Sequence, residues 1–205
     1  MKRKIQFVFH TIFHPADGFW DMKREKRGYM PICLVLQFLF FVSSVIKEYA
    51  VGFMFDTSLG NKTSIGLLFA VSLAPVLFFA VANLSITTFL EGEGTFKDIY
   101  MMVCYCLTPV IVVSIVTTIL TNVVSLDEQT YITLINFLGY FWTGVMLFVG
   151  IMEVHNYSMS RTFASVILSI IAMAMMAFVL LLVLDMISQI FGFGYSLMQE
   201  IRTRT

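Results

Sequence analysis

The ionisable residues that could carry chemistry in this chain of 205 residues are few and widely spaced. His10 and His14 lie four residues apart, with Asp17 nearby, so a helix would present both imidazoles on one face, as a metal pair requires. The polar face of a helix at a membrane surface would also carry two such histidines without any ligand. We favour the second interpretation and predict no metal site and no cofactor.

A second candidate pair lies at the inner end of the fourth apolar run. Glu153 and His155 are two residues apart, so on a helix their side chains would diverge and could not form one site. His155 could instead hydrogen-bond to segment 91–98 or titrate near neutral pH. The alternative is a histidine that simply lies at the membrane interface.

The cysteines and the known enzyme signatures give no catalytic residue. Cys33, Cys104 and Cys106 all lie in or beside apolar runs, and an odd number in such places is no disulfide framework. Cysteines two apart on a helix diverge, so they are no zinc pair. The sequence has no G-x-S-x-G, H-E-x-x-H or P-loop motif, and we predict no enzyme.

Composition predicts an all-α protein that crosses a membrane several times. Hydrophobic residues make up 59% of the chain and charged residues 13%, against about 25% charged in soluble domains. The basic residues are concentrated before Tyr29, in a cluster that favours anionic lipid as a partner over nucleic acid. Its seven members are Lys2, Arg3, Lys4, Lys23, Arg24, Lys26 and Arg27.

Residues 1–28 are predicted to lie at the membrane surface as a basic amphipathic segment. A helix would place five apolar side chains on one face: Ile5, Val8, Phe9, Ile12 and Phe13. Pro15 ends this helix, and a second short one follows. Its aromatic and methionine side chains are expected to anchor it in the interface: Phe19, Trp20 and Met22.

Five apolar runs predict a transmembrane domain over residues 29–190. The runs are 30–46, 65–90, 100–124, 131–152 and 163–184. With the N-terminus inside, nine of the 13 Lys and Arg fall on the inner side, which predicts a cytoplasmic N-terminus and an outer C-terminus. Gly192 and Gly194 are expected to end the last helix, leaving 191–205 as a tail.

The segment 91–109 is predicted to be the hinge of the bundle. Gly92 and Gly94 would supply positive φ in a tight turn, and Thr95 would cap the next helix with Asp98 in a capping box. Pro109 should kink the third span, with a neighbouring helix covering the freed carbonyl.

Three polar residues within or at the ends of the spans need a reason, because polar groups are costly in hydrocarbon. Asn83 and Asn136 are expected to form hydrogen bonds between helices. Asp185 shares a helix face with Ser188 and Gln189, which could be a site for a cation or polar solute. The simpler interpretation is a helix end leaving the hydrocarbon.

The hinge and a second segment together resemble the YIP family of five-span membrane proteins. Residues 92–96 and 105–109 are similar to its glycine-rich turn and Tyr-x-x-x-Pro motif, and 153–158 to its segment before the last span. The short N-terminal segment resembles the prokaryotic branch. The resemblance implies that the binding residues are those that match these motifs: Gly92, Gly94, Phe96, Tyr105, Pro109 and His155. Cys104 departs from the family's usual glycine.

We therefore predict a non-enzymatic integral protein of a prokaryotic cytoplasmic membrane. Prokaryotic relatives are often encoded beside transport systems, which implies an accessory or scaffold subunit that docks with other membrane proteins or with copies of itself. The eukaryotic members' contacts with Rab GTPases rest on a long N-terminal region and are not carried over. The alternative is a small solute or ion transporter that uses Asn83, Asn136 and Asp185 as a polar path.

Overall fold

The structure, a computed structural model, describes residues 2–56 and 60–204. This part of the chain is helical and contains no β-strand, which confirms the all-α prediction. Its α-helices are α1 (Lys2–Phe13), α2 (Pro15–Arg24), α3 (Met30–Tyr49), α4 (Ile65–Phe89), α5 (Phe96–Cys106), α6 (Thr108–Thr121), α7 (Gln129–His155) and α8 (Met159–Arg204). Two short 3-10 turns, Phe53–Phe55 and Leu126–Glu128, lie in the loops before α4 and α7.

Five helical segments are long and apolar enough to cross a membrane, as the sequence predicts. Four of them are α3, α4, α7 and α8, and the other is formed by α5 and α6 together. The third span begins at Phe96, four residues before its predicted start at Tyr100, because the capped turn at Thr95 starts the helix. The first span ends at Tyr49 and therefore includes the charged pair Lys47 and Glu48.

Helix α5 forms the centre of the bundle. All its residues from Ile99 to Cys106 are buried, and α3, α4 and α7 pack around it. Helix α5 ends at Cys106 and α6 begins at Thr108, so the predicted kink at Pro109 is a break in the helix. The Thr108 hydroxyl donates to the Tyr105 carbonyl at 2.8 Å, which is the carbonyl that Pro109 leaves without a donor. The adjacent threonine therefore satisfies the carbonyl that the proline frees.

The N-terminal helices pack against the rest of the protein. Phe19 is 0% exposed and contacts the region of Gly150 on α7, whereas Trp20 is 47% exposed. Met22 is buried too, so the interface-anchor prediction was wrong for Phe19 and Met22, which fill space that glycines leave on α7 and beside α5.

The face of α1 that packs against the protein differs from the predicted apolar face. Val8 and Thr11 are buried, while Phe9 and Phe13 are exposed on the surface. The indole N–H of Trp142 on α7 donates to the Ile12 carbonyl at 3.0 Å, which ties the end of α1 to the bundle. The side chain of Ile5 lies outside the described residues.

Helix α8 is far longer than predicted. It has 46 residues and continues through Gly192 and Gly194, so the prediction that these glycines end the helix was wrong. A glycine in a helix interior costs only about 1 kcal/mol, which the helix formers around it can offset. Every residue of segment 178–193 is exposed.

The different burial of Phe19 and Trp20 predicts different effects of truncation. We expect Phe19→Ala to lower the free energy of unfolding by about 3–5 kcal/mol, because it leaves a cavity between α2 and α7. The matched control, Trp20→Ala, removes an exposed ring and should change it by ~0.5 kcal/mol or less. Denaturant unfolding in detergent micelles measures both. Equal losses for the two variants would contradict the packing of α2.

Candidate functional site

The turn between α4 and α5 begins with a left-handed residue that is not glycine. Helix α4 ends at Phe89, and Glu91 has φ 58°. The Gly92 N–H donates back to the Thr87 carbonyl at 2.8 Å, as in a Schellman ending. Gly92 and Gly94 do not have positive φ, so the predicted reason for these two glycines was wrong.

The end of α7 has the same form and lies against this turn. Asn156 has φ 56°, a conformation that asparagine tolerates well, and the Tyr157 N–H donates to the Met152 carbonyl at 3.0 Å. The Tyr157 hydroxyl then reaches the Thr87 carbonyl on α4 at 3.4 Å. Burial raises the pKa of this hydroxyl, so it keeps its proton and donates at neutral pH. Two helix ends are thus joined.

The two glycines are needed for space. A Cβ atom at Gly92 would lie 2.5 Å from both His155 Nδ1 and the Tyr157 hydroxyl. A Cβ atom at Gly94 would lie 2.5 Å from His155 Cε1 and 2.9 Å from Val154 Cγ1. The imidazole therefore occupies the volume that any other residue at these positions would take.

His155 connects the turn to two further helices. The Gly94 N–H donates to His155 Nδ1 at 3.2 Å, and Nε2 lies 3.1 Å from Asn83 Oδ1. Because Nδ1 accepts a hydrogen bond, it carries no proton, so Nε2 holds the proton and donates to Asn83. The Asn83 amide N–H in turn donates to Ser169 Oγ on α8 at 3.1 Å. We call the chain of Gly94, His155, Asn83 and Ser169 the hinge network.

The hinge network is almost fully removed from solvent. His155 is 1% exposed, Asn83 and Ser169 are 0% exposed, and the imidazole stacks on Tyr157 with ring centroids 5.3 Å apart. Buried polar groups are costly unless they are paired, so this connected set fixes one arrangement of α4, α7 and α8. The expected interhelical hydrogen bond of Asn83 is present. Of the interpretations that the sequence leaves open for His155, the structure shows the hydrogen bond to segment 91–98.

A lysine on α2 binds the turn between α4 and α5. Lys23 Nζ lies 2.9 Å from Asp98 Oδ2 and 2.8 Å from the Glu93 carbonyl. Asp98 also accepts from the Thr95 hydroxyl at 2.7 Å and from its N–H at 3.1 Å, which confirms the predicted capping box. Lys23 is only partly exposed, so this ion pair is less screened by water than the one between Arg24 and Glu93.

The other residues predicted from the family motifs lie farther along the third span. Phe96 is 41% exposed and stacks on Tyr100, with ring centroids 6.4 Å apart. Tyr105 is buried and meets the edge of Phe7 at 6.0 Å. Pro109 is buried in the first turn of α6. Tyr105 and Pro109 contribute to packing inside the bundle, Phe96 lies at its surface, and none of the three joins the hinge network.

Asn136 and Asp185 are held by different partners from Asn83. The Asn136 amide donates to the Ile132 carbonyl of its own helix at 2.9 Å, and its Oδ1 lies 3.5 Å from Thr117 Oγ1 on α6. Asp185 lies on the exposed part of α8 and accepts from Gln189 at 2.7 Å. The three residues of the predicted polar path therefore share no hydrogen-bond partner among those that the structure shows.

His10 and His14, the pair considered and not favoured as metal ligands, form a stacked pair of rings. The His10 and His14 imidazoles stack with centroids 5.2 Å apart, and both side chains are exposed. Within residues 2–56 and 60–204, no group of three or more histidine, cysteine, aspartate or glutamate residues is arranged to hold a metal ion.

Sequence reasoning missed Lys23, Thr87, Tyr157 and Ser169. Lys23 was counted only as one charge of a basic cluster, and Thr87 contributes a main-chain carbonyl that no side-chain pattern reveals. Ser169 offered the clearest signal, since it is a hydroxyl inside an apolar span.

A bundle of apolar spanning helices, joined by short loops and built around a buried polar hinge, defines the class as a polytopic integral membrane protein. Residues 9–193 match the family model of the Yip1 domain. The chain therefore belongs to the Yip1 domain family, which confirms the family that the hinge motifs indicate. No curated protein and no solved structure matches it significantly.

The space around Gly94 predicts a large effect of one methyl group. Gly94→Ala should lower the melting temperature in detergent, because the new Cβ would displace His155 from Asn83; overpacking of this kind costs about 1–3 kcal/mol. Gly144→Ala is the matched control, since nothing lies within 4 Å of its Cβ on the exposed face of α7. It should be neutral or raise stability by up to ~1 kcal/mol. A Gly94→Ala variant as stable as Gly144→Ala would contradict the hinge network.

Proposed function

We propose that this protein is a non-enzymatic accessory or scaffold subunit that docks with other membrane proteins, such as a transport system, through the second half of α8. The observation that carries the proposal is the length over which this helix exposes large apolar side chains. From Met159 to Tyr195 it has 37 residues and is about 55 Å long at 1.5 Å per residue, against roughly 30 Å of hydrocarbon in a bilayer.

Lipid alone does not cover so long a helix. The apolar run 163–184 is already about 33 Å long and fills the hydrocarbon, so the part of α8 after Asp185 extends beyond it. Apolar surface left outside the hydrocarbon is unfavourable in water and is stabilised by contact with another protein. The large apolar side chains exposed after Asp185 include Met186, Ile187, Ile190, Phe191, Phe193 and Tyr195.

The first half of α8 provides a fixed base for this surface. It packs on α4 and α7, and Ser169 takes part in the hinge network. The direction in which α8 leaves the bundle therefore follows from the hydrogen bonds at the turn. This gives three of the motif residues, Gly92, Gly94 and His155, a physical role in docking, because they orient the docking helix.

The transporter alternative receives no specific support from the geometry. It requires a path that joins Asn83, Asn136 and Asp185, and each of these has its own separate partners. Docking needs no such path.

The proposed location is the cytoplasmic membrane of a prokaryote, with the N-terminus in the cytoplasm and the C-terminus outside. The ion pair of Lys23 with Asp98 supports one part of this, because it puts the basic N-terminal helices on the same side as the turn between α4 and α5. Lys97 and Arg161 lie on that side too, so the basic residues are concentrated where the positive-inside rule places the cytoplasm.

Photo-crosslinking in native membranes tests the docking proposal. A photoreactive phenylalanine analogue at Phe191 should give a discrete protein adduct, because this side chain is 75% exposed on the projecting part of α8. The same analogue at Phe137 is the matched control, since that ring is 61% exposed on α7 within the bundle's own span. It should give lipid adducts.

The mass of the Phe191 adduct distinguishes a second copy of this chain from a different protein. Lipid adducts alone at both positions, together with recovery of the protein only as a monomer in mild detergent, would overturn the proposal.

A further inference from the structure

A cleft of about 390 Å³ opens at the membrane edge opposite the hinge, a volume in the ~300–1,000 Å³ range of small-molecule sites. It lies between α3 and α7, and α6 forms its floor through Val110 and Ser114. Both walls pack on α6 but make few contacts with each other. The lining side chains of Lys47 and Tyr140 are exposed, so the cleft is open to the surface of the bundle. This is the face that lipid covers in a spanning protein.

The mouth of the cleft carries four charges, of which three are already held within the protein. Lys62 Nζ lies 2.7 Å from Asp56 Oδ2 and 2.9 Å from the Glu48 carbonyl. Glu48 Oε1 accepts from the Thr63 N–H at 2.8 Å. These contacts fix the loop before α4 and leave little capacity for a ligand.

Lys47 is different. Its ammonium lies 6.0 Å from the centre of the Tyr140 ring, across the cleft on α7. Among the described residues no carboxylate pairs with it, and its side chain is exposed. A cation beside an aromatic ring at the edge of the hydrocarbon is a site that a negative group can approach without displacing an existing ion pair.

The polarity of the cleft changes with depth. Lys47 lies two residues before the end of α3. Ser44 and Phe40 lie one and two turns deeper, so the lined wall of α3 is about 10 Å long. Leu68 and Val110 complete the deeper part, and their side chains are apolar. The cleft therefore presents the Lys47 cation near the end of the first span, where a long side chain can reach a headgroup, above a largely apolar wall.

We propose that this cleft binds one anionic phospholipid, with its phosphate beside Lys47 and an acyl chain along Phe40 and Val110 on the floor of α6. The lateral opening lets the lipid enter from the membrane, and the wall below Lys47 offers an acyl chain the contacts that a free phosphate cannot use. A zwitterionic lipid adds a cation next to the Lys47 ammonium and binds less well. The site lies in the leaflet opposite the N-terminal helices and does not depend on the docking role of α8.

The test uses the full chain in vesicles of phosphatidylcholine that contain a trace of phosphatidylglycerol with a photoreactive group in its acyl chain. Adducts mapped by mass spectrometry should fall on the part of α3 around Ser44 and on α7 around Tyr140. Excess phosphatidylglycerol should remove them, whereas excess phosphatidylcholine or glycerol phosphate should not. Competition by glycerol phosphate would show that a free anion suffices and would overturn the lipid proposal.

Charge variants complete the test. Lys47→Ala should lower the yield of these adducts by about fivefold, the loss expected for one basic residue near anionic lipid, and Lys47→Arg should restore it. Lys97→Ala is the matched control, because it removes an exposed lysine on the opposite side of the membrane. Unchanged melting temperatures in detergent would show that the variants are folded. Adducts that are insensitive to Lys47→Ala, or equal losses for Lys97→Ala, would overturn the site.

Discussion

The imidazole of His155 receives a hydrogen bond from one segment and gives one to another, and the arrangement of the bundle depends on this pair of contacts. Gly94 donates to Nδ1 from the turn after α4, and Nε2 donates to Asn83 within α4. The side-chain amide of Asn83 in turn donates to Ser169 Oγ on α8. In hydrocarbon an unpaired polar group costs several kcal/mol, so each member requires the next. The hinge network therefore specifies how α4, α7 and α8 meet.

The backbone around His155 is shaped to admit it. Gly92 and Gly94 leave the volume that the ring fills, and the left-handed residues Glu91 and Asn156 turn the ends of α4 and α7 toward each other. Lys23 on α2 then pairs with Asp98, which completes the capping box at the start of α5. Because α5 is the buried centre of the bundle, these contacts connect the N-terminal helices, the turn and the core in one continuous structure.

Features with a local cause could be predicted from the sequence. The five spans follow from apolar runs, the capping box from Thr95 and Asp98 three residues apart, and the break in the third span from Pro109. Features set by tertiary packing could not. Nothing near Phe19 shows that Gly150 leaves room for its ring, and a wheel of α1 alone cannot show which apolar side chains meet α5.

The hinge network could be predicted only in part from the sequence. The motif residues Gly92, Gly94 and His155 were found, and Asn83 was expected to bond between helices, but their pairing joins residues far apart in sequence. Positive φ was the expected reason for the two glycines, whereas the structure shows that they leave room for the imidazole of His155. Gly192 and Gly194 show the opposite error, because a glycine signal without tertiary contacts did not end α8.

The protonation state of His155 tests the hinge network most directly, and nitrogen NMR of the isotope-labelled histidine in detergent or nanodiscs reports it. The hinge network predicts a neutral ring with its proton on Nε2 and a hydrogen-bond coupling between Nδ1 and the Gly94 amide. The Asn83→Ala variant should shift the Nε2 resonance, because it removes the acceptor of that proton. A proton on Nδ1, or an Nε2 resonance that does not respond to Asn83→Ala, would contradict the account.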